Sequence, residues 1–371
     1  MKKINILYIH HGTGIGGASI SLFNLVKGLD LNKFNIKVAC LKGGDHVNLF
    51  ESAGVSVDVI GASTLNFSFN ESRKKYWYFL PYYIIVFFVW IYTAFYVAPK
   101  YLREQKDYSI LHLNSHVLTS WAYAAKKLRF KVVLHNREAI ARGYVGIRYS
   151  ILKSLIRKNC DYIINISQDN RDRLGLTERS CVIYNFVNIP DHYSIPFHNS
   201  EIKVLYLGGD AEIKGFSCVL QSLSFLDNSV KIIFGGRLSK DNYAELSVYQ
   251  NVEVIGLVNN PYEYINKCDI LITPFSTPHF SRPAIEAFAY GKPVIGSDVK
   301  GMDEIIHDNV NGLLFERNDF KKLAEAINFL ALNPKIGIEM GCNGRDLAIR
   351  KFSPKASIAA VTKIYETLEH F

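Results

Sequence analysis

The sequence predicts an α/β protein of two Rossmann-like, doubly wound domains, each a parallel sheet with helices on both faces. Three observations carry this. The chain has 371 residues, enough for two domains at roughly 100–200 residues each. Short β-branched runs alternate with longer stretches of helical periodicity, the signature of βαβ units. The alternation also stops in a polar segment, Pro190 to Ser200, and restarts at Lys203.

In the first domain, residues 1–188, Ile4–His10 reads as a strand. It enters Gly12-Thr13-Gly14-Ile15-Gly16-Gly17 and then a helix from about Ala18 to Leu29, with apolar residues at 22, 25, 26 and 29. Further strands are expected at 35–41, 56–60, 110–114, 131–135, 162–167 and 181–184. The second domain, residues 200–353, opens with a strand at Lys203–Leu207 ending in Gly208-Gly209. Strands follow at 230–234, 252–255, 270–274, 293–297 and 312–315, with helices at 217–226, 284–290 and 320–332. A last helix within 354–371 is expected to pack back onto the first domain. Two such domains leave a cleft at the carboxyl ends of their sheets, where ligands of these folds bind.

Hydrophobic residues make up 49% and charged residues 21% of the chain, which excludes a disordered polypeptide. The net charge of +9 favours anionic partners such as nucleotide phosphates, nucleic acid or an acidic membrane. No interleaved basic and aromatic motif supports nucleic acid. Six scattered cysteines form no CxxC pair, so they read as core thiols of a cytosolic protein. The N-terminal apolar run is broken by Asn5 and meets glycines without a small-residue cleavage site, so a first strand is expected, not a signal peptide.

Gly12, Gly14 and Gly17 satisfy GxGxxG between a strand and a helix, where glycines let backbone approach a pyrophosphate. An NAD site also needs an acid after the second strand, and Ala39-Cys40-Leu41-Lys42 has none. NADP through Lys42, or a turn with no ligand, stays open at this point.

The second half carries more. Leu207-Gly208-Gly209 through Lys214-Gly215-Phe216 forms a glycine turn followed by a lysine. Phe280-Ser281-Arg282-Pro283-Ala284-Ile285-Glu286 leads through Gly291 and Pro293 to Gly301-Met302-Asp303-Glu304-Ile305 and Asn311-Gly312-Leu313. With Gly16-Gly17-Ala18-Ser19, His135 and Tyr184-Asn185-Phe186-Val187, this order resembles the family 4 glycosyltransferases of the GT-B fold over nearly the whole chain.

The resemblance implies a retaining glycosyltransferase that moves a sugar from a UDP- or GDP-linked donor to a glycan or lipid-linked acceptor, with front-face attack. Bacterial surface polysaccharide or lipopolysaccharide synthesis is the expected setting. Breaking the sugar–phosphate bond needs positive charge on the departing diphosphate, and Lys214 with loop amides and a helix N-terminus supplies it. Donor contacts are expected from Gly16, Gly17, Gly209, Lys214, His279, Phe280, Ser281, Arg282 and Glu286, the last to ribose hydroxyls. His135 and Lys214 are the expected catalytic residues, and Arg137 and Glu138 lie on the acceptor side. No Asp-x-Asp motif precedes a metal site, so neither metal nor other cofactor is expected. Where the family usually has a glutamate eight residues before Glu286, this chain has Pro278, beside His279. An NAD(P)-dependent oxidoreductase explains only the first glycine loop. An epimerase explains the fold but needs catalytic acids that have no evident place.

From Tyr76 to Ala98 the chain is aromatic and apolar, with basic residues at 73–75, 100 and 103. The run is long enough to span a bilayer at roughly 20 residues, but the strands on either side are expected in one sheet. Tyr and Trp favour the membrane–water interface. The expectation is a helix lying in the cytoplasmic leaflet, on an enzyme held peripherally at the inner face of the plasma membrane.

Overall fold

The apolar runs form two all-parallel sheets in the computed structural model of the chain. The structure describes residues 3–65, 80–138, 140, 142, 146–258 and 260–369. These divide into two units, Met1–Asn185 with Pro354–Phe371, and Phe186–Ser353.

The first unit runs β1 (Ile4–His10), α1 (Gly17–Gly28), β2 (Phe34–Cys40), α2 (Asp45–Glu51), β3 (Ser56–Val59), α3 (Leu80–Tyr92), α4 (Ala98–Glu104), β4 (Ile110–Leu113), α5 (Thr119–Lys127), β5 (Lys131–Asn136), α6 (Ile147–Asn159), β6 (Tyr162–Asn165), α7 (Gln168–Leu174) and β7 (Ser180–Val182). Its strand order is β3-β2-β1-β4-β5-β6-β7. One sheet face carries Leu7, Ile9, Leu111, Leu113, Val132 and Leu134 against Trp121, Ala122 and Ala125 of α5. Helix α1 buries Leu22, Leu25 and Val26, the spacing that puts side chains on one helical face. A π-helical turn, Thr93–Val97, joins α3 to α4.

The second unit runs β8 (Ile202–Tyr206), α8 (Phe216–Ser222), β9 (Val230–Gly235), α9 (Lys240–Leu246), β10 (Val252–Gly256), α10 (Pro261–Lys267), β11 (Ile270–Thr273), α11 (Arg282–Ala289), β12 (Val294–Ser297), β13 (Gly312–Phe315), α12 (Phe320–Leu332) and α13 (Pro334–Lys351). Its order is β10-β9-β8-β11-β12-β13. Helix α12 starts where the Asp319 carboxylate accepts from the Lys321 and Lys322 amides. It buries Leu323, Ile327 and Leu330.

The sequence reading names no helix over 334–351, yet α13 is the longest in this unit. Its glycines explain both facts. A Cβ at Gly337, Gly341 or Gly344 would overlap the Phe197 ring, the Gly291 carbonyl or the Phe288 ring. They weaken the helix locally and give it the flat face on which it packs.

The final helix, α14 (Pro354–Glu369), belongs to the first unit. Its Tyr365 hydroxyl lies 2.7 Å from that of Tyr8 on β1, and the Ser357 hydroxyl donates to the Tyr184 carbonyl.

Candidate active site

In the second unit the strand order reverses between β8 and β11, and such sheets bind ligands outside the carboxyl ends at the reversal. Two segments leave there. One follows β8 through Gly208-Gly209 to a 3-10 turn at Glu212–Lys214, ahead of α8. The other follows β11 through Pro274–Phe280 to α11. They are locked together: a Cβ on Gly215 would overlap the Pro274 carbonyl, and the Ser276 amide donates to the Ile213 carbonyl at 3.1 Å. Gly215 also has φ of +83°, a conformation open mainly to glycine.

This turn fixes Lys214. Its amide donates to the Ala211 carbonyl at 2.8 Å, and its own carbonyl accepts from the buried Tyr206 hydroxyl at 3.2 Å. The side chain is open to solvent on one side, and no carboxylate pairs with it among the described residues. Protein packed around the ammonium lowers its pKa by desolvation. His279 shares this environment. Its ring stacks on Phe275 at 3.9 Å between centroids. Burial, with the nearby Lys214 charge, brings its pKa down to about 4, so it is neutral at physiological pH.

The start of α11 places the rest. The Ser281 hydroxyl caps the helix, accepting from the Ala284 amide at 3.4 Å and from the Thr273 hydroxyl at 3.0 Å. With that amide taken and none on Pro283, the first turn presents fewer N–H groups to an anion than the sequence suggests. Phe280 is buried, edge-on to Phe352. Glu286, one turn in, is buried, and its Oε1 accepts from Arg282 Nε at 2.7 Å and from the Tyr262 hydroxyl at 3.2 Å. Its Oε2 accepts no hydrogen bond among the described residues. Burial pushes this carboxyl's pKa up, and the Arg282 charge opposes the shift. Tyr262 comes from α10 and stacks on Tyr290. No sequence pattern links it to Glu286. Gly209 has φ of +59°, and its amide is engaged by the Gly235 carbonyl at 3.0 Å.

In the first unit the reversal falls between β1 and β4. Alternate residues put Tyr8, His10, His112, Asn114, His135 and Arg137 on one sheet face, joined by hydrogen bonds. His10 Nε2 is 3.0 Å from the Ser19 hydroxyl, and its Nδ1 is 2.9 Å from Asn114. Arg137 is buried, donating to Asn114 at 2.6 Å and to Asn185 at 2.9 Å. Arg137 also donates to His135 Nδ1 at 3.3 Å. Because arginine only donates, Nδ1 must accept, and the proton of a neutral His135 then sits on Nε2. That Nε2 is buried without a hydrogen-bond partner among the described residues. Burial first, then the Arg137 charge, holds His135 neutral.

Glu138 leads away from β5, half-buried. Its carboxylate accepts from the Ser115 hydroxyl at 2.7 Å and lies 3.5 Å from His116 Nδ1 and 3.8 Å from His11 Nε2. The sequence pointed to Glu138 but not to Ser115, His11 or His116, which only the fold gathers. Gly16 caps α1 and Gly17 begins it, and a Cβ on either would meet open space. Their lack of a side chain is not a packing requirement. Among the described residues no group of three or more His, Cys, Asp or Glu is placed to hold a metal ion.

Two family models match. "Glycosyltransferase Family 4" covers residues 15–190 and "Glycosyl transferases group 1" covers residues 191–347. A glycosyltransferase of Methanocaldococcus jannaschii is 32% identical over 284 residues, spanning 74% of this chain and 79% of the relative. The N-acetylgalactosamine-N,N'-diacetylbacillosaminyl-diphospho-undecaprenol 4-alpha-N-acetylgalactosaminyltransferase of Campylobacter jejuni is 24% identical over 199 residues, 50% of this chain and 54% of its own. Among solved structures, Anabaena HepE in complex with UDP and glucose has the same fold, with a TM-score of 0.79, 18% identity, and coverage of 99% of this chain and 100% of HepE.

Proposed function

The chain belongs to the family 4 glycosyltransferases, and we propose that it is a retaining, metal-independent enzyme taking a hexose-type sugar from a UDP- or GDP-linked donor to a lipid-linked or glycan acceptor. The observation that carries this is Lys214, a cation with no carboxylate partner among the described residues, at the β8/β11 reversal beside neutral His279. Leaving-group departure puts negative charge on the β-phosphate. A fixed cation in a partly desolvated site stabilises that charge more in the transition state than in the ground state. In this reading Lys214 supplies the charge that a divalent ion supplies in metal-dependent transferases.

Glu286 receives the ribose hydroxyls on Oε2, its other oxygen being held by Arg282 and Tyr262. His135 offers Nε2–H to a donor-sugar oxygen, and open Gly16 and Gly17 admit a ligand at the start of α1. Glu138, with Ser115, His11 and His116, orients the acceptor hydroxyl. The donor phosphate takes the proton in front-face attack, so no protein base is required.

HepE was solved with UDP and glucose, and the C. jejuni relative is named for an undecaprenol-diphosphate-linked acceptor. Both support this choice of ligands. We place the enzyme in the cytoplasm, bound peripherally through α3 at the inner face of the plasma membrane, in surface-polysaccharide synthesis.

The test is thermal stabilisation by UDP, GDP, ADP, their sugar conjugates, NADH and NADPH, with Lys214→Ala and Glu286→Ala as controls. A ligand at 100 times its dissociation constant adds about 2.7 kcal/mol to the native state. Stabilisation by one nucleoside diphosphate, lost in both variants, is expected. A response confined to NADH or NADPH would overturn the donor assignment.

A further inference from the structure

Helix α3 is apolar all round and yet largely exposed. No charged residue occurs from 80 to 99. Ile84, Ile85, Phe87, Phe88, Tyr92 and Phe95 are 48–62% exposed, while Val86, Ala94 and Ala98 on the opposite face are buried. Helices of this composition are normally covered by protein or lipid. Residues 76–79 of the aromatic run lie outside the described residues. The described apolar helix, Pro81–Glu104, has 24 residues and is long enough to cross a bilayer. Crossing is excluded by topology: β3 before it and β4 after it are strands of one sheet. Any lipid contact must therefore run along the helix, not across the bilayer.

Helix α3 does not make this surface alone. The Trp90 indole donates to the Thr119 hydroxyl at 3.0 Å, at the first residue of α5. The ten residues before Trp90 therefore continue past the carboxyl edge of the sheet, where α6 also starts. There the Tyr83 hydroxyl accepts from Arg148 at 2.7 Å, and the guanidinium sits 4.9 Å over the Tyr83 ring. This link brings the first turns of α6 beside α3. On α6, Ile147 and Ile151, one turn apart, are 62% and 52% exposed. Neither belongs to the main core of the unit.

Charge selects what covers the face. Residues 80–104 carry Lys100, Arg103 and a single acid, Glu104 at the last position, and α6 carries Arg148, Lys153, Arg157 and Lys158 and no acid. A second copy would set like charges against each other. An anionic bilayer is complementary, since apolar groups enter the acyl boundary and basic groups reach the headgroups.

We propose that the N-terminal turns of α3 and α6, tied by the Tyr83–Arg148 contact, form one composite docking edge for an anionic lipid surface. This rests on the peripheral-membrane reading above and adds a second insertion point to it. With two insertion points the carboxyl edge of this sheet, and with it Glu138, is held toward the headgroups, where a lipid-linked acceptor presents its sugar.

The test is flotation of the full chain with phosphatidylcholine vesicles with and without phosphatidylglycerol, at low and at 1 M salt. Wild type is expected to float only with the anionic vesicles and to be released by salt. Ile147→Asp/Ile151→Asp and Phe87→Asp/Phe88→Asp should each weaken partitioning by at least about tenfold, given what exposing one large aliphatic side chain costs. Melting temperature and stabilisation by nucleoside diphosphate should stay as in wild type, since all four residues are exposed. If the aspartates prevent folding, Ile147→Ser/Ile151→Ser is read the same way. Wild type that never floats overturns the peripheral-membrane reading and this proposal together. Floating that α3 substitutions abolish and α6 substitutions leave intact overturns the composite edge alone. A dimer in solution that Ile151→Asp dissociates shows that the face is covered by a second copy, and also overturns it.

Discussion

The two sheets share one winding pattern but arm their reversal points with opposite chemistry. At β8/β11 the second unit holds a lysine with no carboxylate partner among the described residues and a buried Glu–Arg pair. At β1/β4 the first unit holds a cluster of imidazoles, nearly all kept neutral by burial and by Arg137. A fixed charge suits a diphosphate that becomes more negative as the bond breaks. Neutral imidazoles whose ring nitrogens lack a partner among the described residues, His112 Nε2 and His135 Nε2 among them, suit sugar hydroxyls, which need hydrogen bonds but no counter-ion. On the proposed reading, a common fold serves two kinds of ligand by changing a few side chains at strand ends.

The comparison breaks first, and hardest, at Lys214. Lys214→Ala should lower kcat/KM by roughly 10²–10³, the usual effect of removing one transition-state charge stabiliser. His135→Ala should cost less, because it removes one neutral hydrogen bond. Steady-state assays on the donor identified by thermal shift decide the ranking, and a larger effect at His135 would reverse the assignment of roles.

Glycines sharpen the contrast at the next level of effect. Gly215 has φ of +83° and no room for a Cβ, so Gly215→Ala should destabilise the second unit by more than about 2 kcal/mol. Gly17 opens α1 with open space around it, so Gly17→Ala should leave stability within about 0.5 kcal/mol of wild type. Its effect should fall on donor or substrate KM. Calorimetry and kinetics on both variants separate a glycine the fold needs from one a ligand needs.

Sequence reveals one of these kinds of information better than the other. Strands such as Ile4–His10 and Ile270–Thr273 are legible because a strand buried on both faces must be apolar along its length. Lys214 stands out because it closes a glycine turn after a strand, and Glu286 because it lies one turn into a helix opened by Ser281-Arg282-Pro283. Tyr262 does not, since its relation to Glu286 exists only once α10 packs on α11. Helix α13 is hidden by the same glycines that let it pack. The aromatic run marks α3, but nothing in its composition says which face stays bare. Periodicity locates elements, whereas the contacts between them belong to the fold.

The smallest expected effect, per group, is the most diagnostic of the contrast between the units. His10 is held at about 2, and His112 and His135 are also held below the ordinary value near 6.5, chiefly by burial. A folded pKa below the unfolded one means that the unfolded chain binds the proton first. The stability each contributes is therefore intact above about pH 6.5 and is lost as pH falls toward the folded value. Each such group gives a slope approaching about 1.4 kcal/mol per pH unit in that window. The second unit has His279, whose window closes near 4. Calorimetry from pH 7.5 to 5 should show the first unit's transition falling faster, with the second identified by its response to nucleoside diphosphate. His10→Asn should flatten the first unit's slope by about one proton. Equal slopes for the two transitions would mean that the first unit's imidazoles take up protons without unfolding, and its site would then be one that tolerates charge.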